Sequence, residues 1–148
     1  MATTFTNLLG HIIFSTKHRQ PLIEPEWQDD LYAYMGGIIR NRGGILLAAG
    51  GMPDHIHLLL KWPAASALSA IIRDVKAISS GWRHEAGDID FGWQTGYGGF
   101  SVSESVVPDV TAYIHNQEQH HQKRTYQEEF LQFLEAHQID YDPKYLWD

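Results

Sequence analysis

Two histidines separated by one residue, His55 and His57, begin the run HIHLLLKW. Side chains alternate along an extended strand, so both imidazoles share one face while Asp54 and Ile56 take the other. A strand covered by helices ordinarily turns apolar residues inward, which makes two neighbouring histidines there unusual. They are either solvent-facing polar residues or a pair of neutral imidazole ligands for one divalent ion. Two imidazoles alone hold an ion weakly, so a third donor would sharpen the case. Tyr113 and Gln117 lie four residues apart, and a helix there places them on one face. With Val110 and Ile114 beside it, Tyr113 reads from periodicity alone as an aromatic at the edge of a packed stripe. His120 and His121 read as helix-end histidines, favourable partners of the helix dipole.

The elements that must position these residues follow from pattern. His11 to Thr16 is apolar and β-branched, a first strand ended by KHRQP. Trp27, Leu31, Tyr34, Met35, Ile38 and Ile39 recur at helical spacing, giving an amphipathic helix from Glu26 to about Arg42, stopped by Gly43-Gly44. Ile45 to Ala49 is a second strand, with Gly50 to Asp54 as the turn after it. His55 to Trp62 is the third, closed by Pro63. Ser66 is the expected N-cap of a helix carrying Leu68, Ile71, Ile72, Val75, Ile78 and Trp82 on one side. Gly87 to Gly99 reads as a loop and Phe100 to Ser103 as a short fourth strand. Pro108 opens a third helix running through Tyr113 and Gln117 towards His121. A last helix covers roughly Tyr126 to His137, with a tail packed by Tyr141, Tyr145, Leu146 and Trp147. The order βαββαβ plus two helices predicts an α+β fold, a ferredoxin-like or RRM-like sandwich with an antiparallel sheet and additional C-terminal helices. Its central strands would be the first and third.

The chain has 148 residues, 43% of them hydrophobic, which suits one domain over 1–148 with the helix and tail of 122–148 packed on it. Zero cysteines exclude disulfides, thiolate zinc sites and cysteine nucleophiles. No signal-peptide pattern and no apolar run of about 20 residues is visible, so a soluble cytoplasmic protein without a membrane partner is expected. The net charge of −7 argues against broad charge-driven binding to duplex nucleic acid. That charge is uneven. Between Leu31 and Gly87 six bases (Arg40, Arg42, Lys61, Arg73, Lys76 and Arg83) face three acids, a local balance of +3.

HIH on a central strand followed by YIHNQEQHH on a late helix resembles the single-tyrosine transposases of the HUH endonuclease superfamily. The flanking runs GMPDHIHLLL, DVKAISSGW and FGWQTGYGGFSVSES carry the same likeness, from about His11 to His121. The family is that of the IS200-like insertion-sequence transposases and the relatives associated with repetitive extragenic palindromes. The resemblance implies that Tyr113 is the nucleophile, forming a 5′-phosphotyrosine and freeing a 3′-hydroxyl. A covalent link conserves the phosphodiester energy, so a later hydroxyl can reseal the strand. It also implies that His55, His57 and Gln117 hold Mg²⁺ or Mn²⁺, which would stabilise charge developing on the phosphate.

Single-stranded DNA with a hairpin at the element end is the implied substrate, and a homodimer the implied assembly. The six bases of the middle stretch are candidates for following the DNA backbone. Two other readings use the same residues differently. One is an RRM-like module that grips single strands without cutting. The other is a replication or conjugation nickase of the same superfamily, although such proteins are usually larger.

Overall fold

The computed structural model describes residues 3–147, so Met1, Ala2 and Asp148 of the expected domain lie outside the described residues. Four strands pair antiparallel in the order β2-β3-β1-β4. They are β1 (Leu8–Ser15), β2 (Ile45–Met52), β3 (His55–Trp62) and β4 (Gly98–Ser101). The first and third strands are central, and with helices α1 (Pro25–Asn41) and α2 (Leu68–Glu85) they form the expected ferredoxin-like α+β arrangement. α1 and α2 cover one face, where Ile12, Phe14, Ile56, Leu58 and Leu60 meet Leu31, Met35, Ile39, Ile71, Ile72 and Val75. Each fully buried Ile or Leu contributes about 1.5–3 kcal/mol. This layer therefore supplies much of the stability needed to carry polar residues on the other face.

The second face is covered by α3 (Val107–His115), α4 (Gln117–His120) and α5 (Tyr126–Ala136). Ile13 and Phe100 pack there against Tyr126, Phe130 and Leu134, while Ala48 and Leu59 pack against Ile114. Thr125 caps α5 by accepting from the Glu128 backbone N–H, and the Glu128 carboxylate accepts from the Thr125 N–H. No helix among the described residues is long and apolar enough to cross a membrane.

Several boundaries differ from the sequence pattern, each for a physical reason. β1 begins at Leu8 instead of His11, which puts His11 inside the strand. β2 runs on through Gly50, Gly51 and Met52, leaving Pro53-Asp54 as the turn. These glycines mark close backbone approach, since a Cβ at Gly50 would collide with the Ile114 carbonyl oxygen of α3. The expected third helix breaks at Asn116 (φ −102°, ψ 27°), which divides α3 from α4. Ala67, not Ser66, occupies the N-cap of α2, because the Ser66 hydroxyl donates instead to the Arg42 carbonyl at 3.2 Å. Ile78 points outward from α2, where Ser79 is buried instead. β4 starts at Gly98, within the expected loop, and ends at Ser101. In the tail Leu146 and Trp147 pack against α5, while Tyr141 and Tyr145 are exposed.

Candidate active site

Register brings the polar face together. His57 lies opposite Ile13 and His55 opposite Ser15, so His11, Ile13 and Ser15 share the face of the two imidazoles. Both imidazoles are fully buried under α4 and α5. Substrate can reach them only if the side chains above them withdraw.

Gln117, at the start of α4, places its Oε1 3.3 Å from His55 Nε2. Its Nε2 donates to the Tyr113 carbonyl at 3.3 Å, so the four-residue spacing survives the helix break. His121 enters from just beyond α4, its Nε2 3.1 Å from Gln117 Oε1 and 3.2 Å from Glu129 Oε1. This corrects the helix-end role expected of it. Its neighbour His120 stacks on the Tyr113 ring, centroids 4.3 Å apart.

Glu129 of α5 completes the cluster. Its Oε1 lies 3.0 Å from His57 Nε2 and 3.4 Å from His55 Nε2, and its Oε2 accepts from the Tyr113 hydroxyl. The Arg124 guanidinium donates to the same hydroxyl oxygen at 3.2 Å. Sequence reasoning passed over Glu129 and Arg124. Glu129 did carry a signal, as a charged residue on the stripe Tyr126, Phe130, Phe133 and Leu134 that α5 turns to the sheet.

Burial and pairing set the protonation of these groups. Burial pulls His57 down to about 4 against the Glu129 carboxylate, so the ring is neutral near pH 7. His11, 2.8 Å from His57 Nδ1, is pulled down to about 3 by burial and by His57. Burial also opposes charge on His55, but its bonds to Asp54 and Glu129 outweigh that and raise it. The Asp54 Oδ1 accepts from His55 Nδ1 at 2.7 Å, and His55 holds that carboxyl below its usual range although burial opposes this. Glu129 lies far below the carboxylate range because three histidines outweigh its burial. The Tyr113 phenol is pushed up by burial and then by Glu129, with Arg124 opposing.

The donor set fits a divalent ion. One ligand atom each from His55, His57, His121 and Glu129 lies within 4.8 Å of the others, and Gln117 Oε1 is at hydrogen-bond distance from two of them. Neutral imidazoles suit transition metals, and carboxylate or carboxamide oxygens suit harder ions.

The six middle-stretch bases are not drawn into this cluster. Arg40 belongs to α1 and Arg73, Lys76 and Arg83 to α2, all on the opposite layer, with Arg42 just beyond α1. Arg42 pairs with Asp74, and Arg83 lies over Trp27 at 3.9 Å. Lys76 donates to the carbonyls of Gln94, at 3.0 Å, and Gly96. Lys61 alternates onto the histidine face, but near the far end of β3.

Residues 4–117 match the family model described as transposase, IS200-like. A crystal structure of a candidate transposase from Deinococcus radiodurans R1 is similar, with 26% identity and a TM-score of 0.63, covering 79% of this chain and 95% of that one. A REP-associated tyrosine transposase bound to a REP hairpin shares the fold at 14% identity and a TM-score of 0.57, covering 77% and 68%. No curated protein matches the chain. With the fold, the HxH strand and a match spanning most of its length, the chain belongs to the IS200-like transposase family and is a DNA transposase, an enzyme that cuts and transfers DNA strands.

Proposed function

We propose that this transposase cuts and rejoins single-stranded DNA through a 5′-phosphotyrosine on Tyr113, with His55, His57 and Gln117 holding Mn²⁺ or Mg²⁺. One observation carries the reading. The two oxygens of Glu129 join the half-buried Tyr113 hydroxyl to the imidazole cluster, which brings the proposed nucleophile and ion-binding donors together within one chain. When bound, the ion would polarise the scissile phosphate and stabilise charge on its oxygens.

The protein's own groups account for the rest. The Tyr113 hydroxyl proton is directed onto Glu129 Oε2, and Arg124 on the other side of the oxygen favours the phenolate. As the Tyr113 oxygen bonds to phosphorus, the bond from phosphorus to the 3′ oxygen breaks, and that oxygen takes up a proton as the free 3′-hydroxyl. The step reverses when a 3′-hydroxyl attacks the phosphotyrosine.

The hairpin-bound neighbour supports a hairpin as the substrate's landmark here too. Arg40, Arg42, Lys61, Arg73, Lys76 and Arg83 are proposed to contact DNA backbone, those on the α1 and α2 layer far from the cut. A homodimer working in the prokaryotic cytoplasm completes the reading. The exposed Ile45 and Leu47 on edge strand β2 suit such an association.

The test is cleavage of a hairpin-bearing oligonucleotide in Mn²⁺. Cutting of the single strand, with one product linked to protein and the other ending in a 3′-hydroxyl, is expected, and chelation should stop it. Two free DNA products, or equal cutting after chelation, would overturn the reading.

A further inference from the structure

His55 and His57 are neighbours in one motif, but their Nδ1 atoms meet different partners. Asp54, a carboxylate, accepts from His55 Nδ1 at 2.7 Å. A carboxylate only accepts, so His55 carries a proton on Nδ1, which leaves Nε2 as the nitrogen to meet an ion. His57 Nδ1 instead meets His11 Nε2 at 2.8 Å. His11 lies one diagonal step away on β1, because His11 pairs with Leu59 and Ile13 with His57.

We infer that His11 is a positioning residue for His57, holding the His57 ring so that Nε2 is free to bind the metal ion. This rests on His57 being a ligand. A bond between two ring nitrogens needs one proton, carried by one of them. When His57 Nε2 donates to Glu129 Oε1, 3.0 Å away, His57 Nδ1 is bare and His11 Nε2 must donate to it. When His57 Nε2 offers its lone pair to an ion, the His57 proton sits on Nδ1 and His11 Nε2 must accept it. Histidine can do both by moving its own proton to its other nitrogen.

Solvent is no substitute, since His11 is 3% exposed and His57 not at all. The Phe133 ring meets His11 edge-on at a centroid distance of 5.0 Å and limits how the imidazole can turn. Partners of this kind, which orient a ligating histidine through its other nitrogen, commonly change metal affinity by 10–100-fold when removed.

The experiment titrates the full chain with Mn²⁺ by calorimetry and reads ring tautomers by ¹⁵N NMR with Mg²⁺. His11→Leu should weaken Mn²⁺ binding by about 10–100-fold. His11→Gln, whose amide can donate or accept, should recover most of it. In the Mg²⁺-loaded wild type His57 should carry its proton on Nδ1. Wild-type affinity in His11→Leu, with binding lost in His57→Ala, would overturn the role of His11 and leave the ligand assignment standing. Wild-type affinity in His57→Ala would overturn both. Should His11→Leu fail to fold, the tautomer decides, because an Nε2-protonated His57 in the loaded wild type contradicts the proposal.

Discussion

The Tyr113 hydroxyl donates to Glu129 Oε2, while the other oxygen of the same carboxylate lies 3.0 Å from His57 Nε2. A single side chain thus ties the proposed nucleophile on α3 to the imidazoles on β3, across the sheet-to-helix interface. Glu129 belongs to α5, beyond the residues that match the family model.

Glu129→Ala should therefore be costly to the fold. It strips the shared carboxylate from His55, His57 and His121, of which only His55 keeps another, Asp54, and breaking a buried charged pair costs about 3–5 kcal/mol. Urea unfolding at neutral pH measures the loss, and Glu129→Gln, which keeps an acceptor oxygen, should lose less. Equal stability of Glu129→Ala and wild type would contradict the placement of α5.

Gly50→Ala tests how α3 is held. A methyl group there meets the Ile114 carbonyl oxygen, so α3 must move off β2 and take Tyr113 and Gln117 with it. Overpacking of this kind costs about 1–3 kcal/mol. The expected result is a modest fall in melting temperature with a much larger loss of strand cleavage. Cleavage at the wild-type rate would show that the close approach does not position the tyrosine.

Lys76 predicts a pH effect away from the active site. Burial pulls its ammonium down to about 8 from 10.5. Between those values the unfolded chain holds the proton and the folded chain does not, so this group makes stability rise with pH. The gain is about 1 kcal/mol once solvent screening is counted. Comparing wild type with Lys76→Met by urea unfolding at pH 7.5 and pH 10 isolates it. Wild type should gain stability relative to the variant at the higher pH, and a relative loss would contradict the assignment.

The fold and the motif strand were legible because both rest on local pattern. HIHLLLKW is a short, mostly apolar run closed by Pro63 and forms β3 over the residues read from it. The central position of β1 and β3 followed from the order of elements and the rules of connection. His11 was not legible as a site residue, since its nearness to His57 depends on the β1–β3 register and no local pattern encodes register. His121 was misread because the helix break at Asn116, marked by neither glycine nor proline, turns the following residues back over the imidazoles. Gly50-Gly51 looked like a turn because glycine marks turns and close backbone contacts alike.

His57→Ala separates binding from chemistry. Removing one of two central imidazoles should abolish detectable Mn²⁺ binding by calorimetry and reduce single-strand cleavage by at least about 100-fold. Binding of the oligonucleotide itself, which is proposed to draw on the basic residues of the outer layer, should change little. Undiminished cleavage in this variant would place the ion elsewhere.

The central claim is that Tyr113 becomes covalently attached to DNA. Wild-type protein is incubated with a hairpin-bearing single strand and Mn²⁺, digested with protease and nuclease, and its peptides are analysed by mass spectrometry. A nucleotide linked through its 5′-phosphate to Tyr113, absent from Tyr113→Phe, is the expected result. An adduct on another residue, or one undiminished in Tyr113→Phe, would contradict the account.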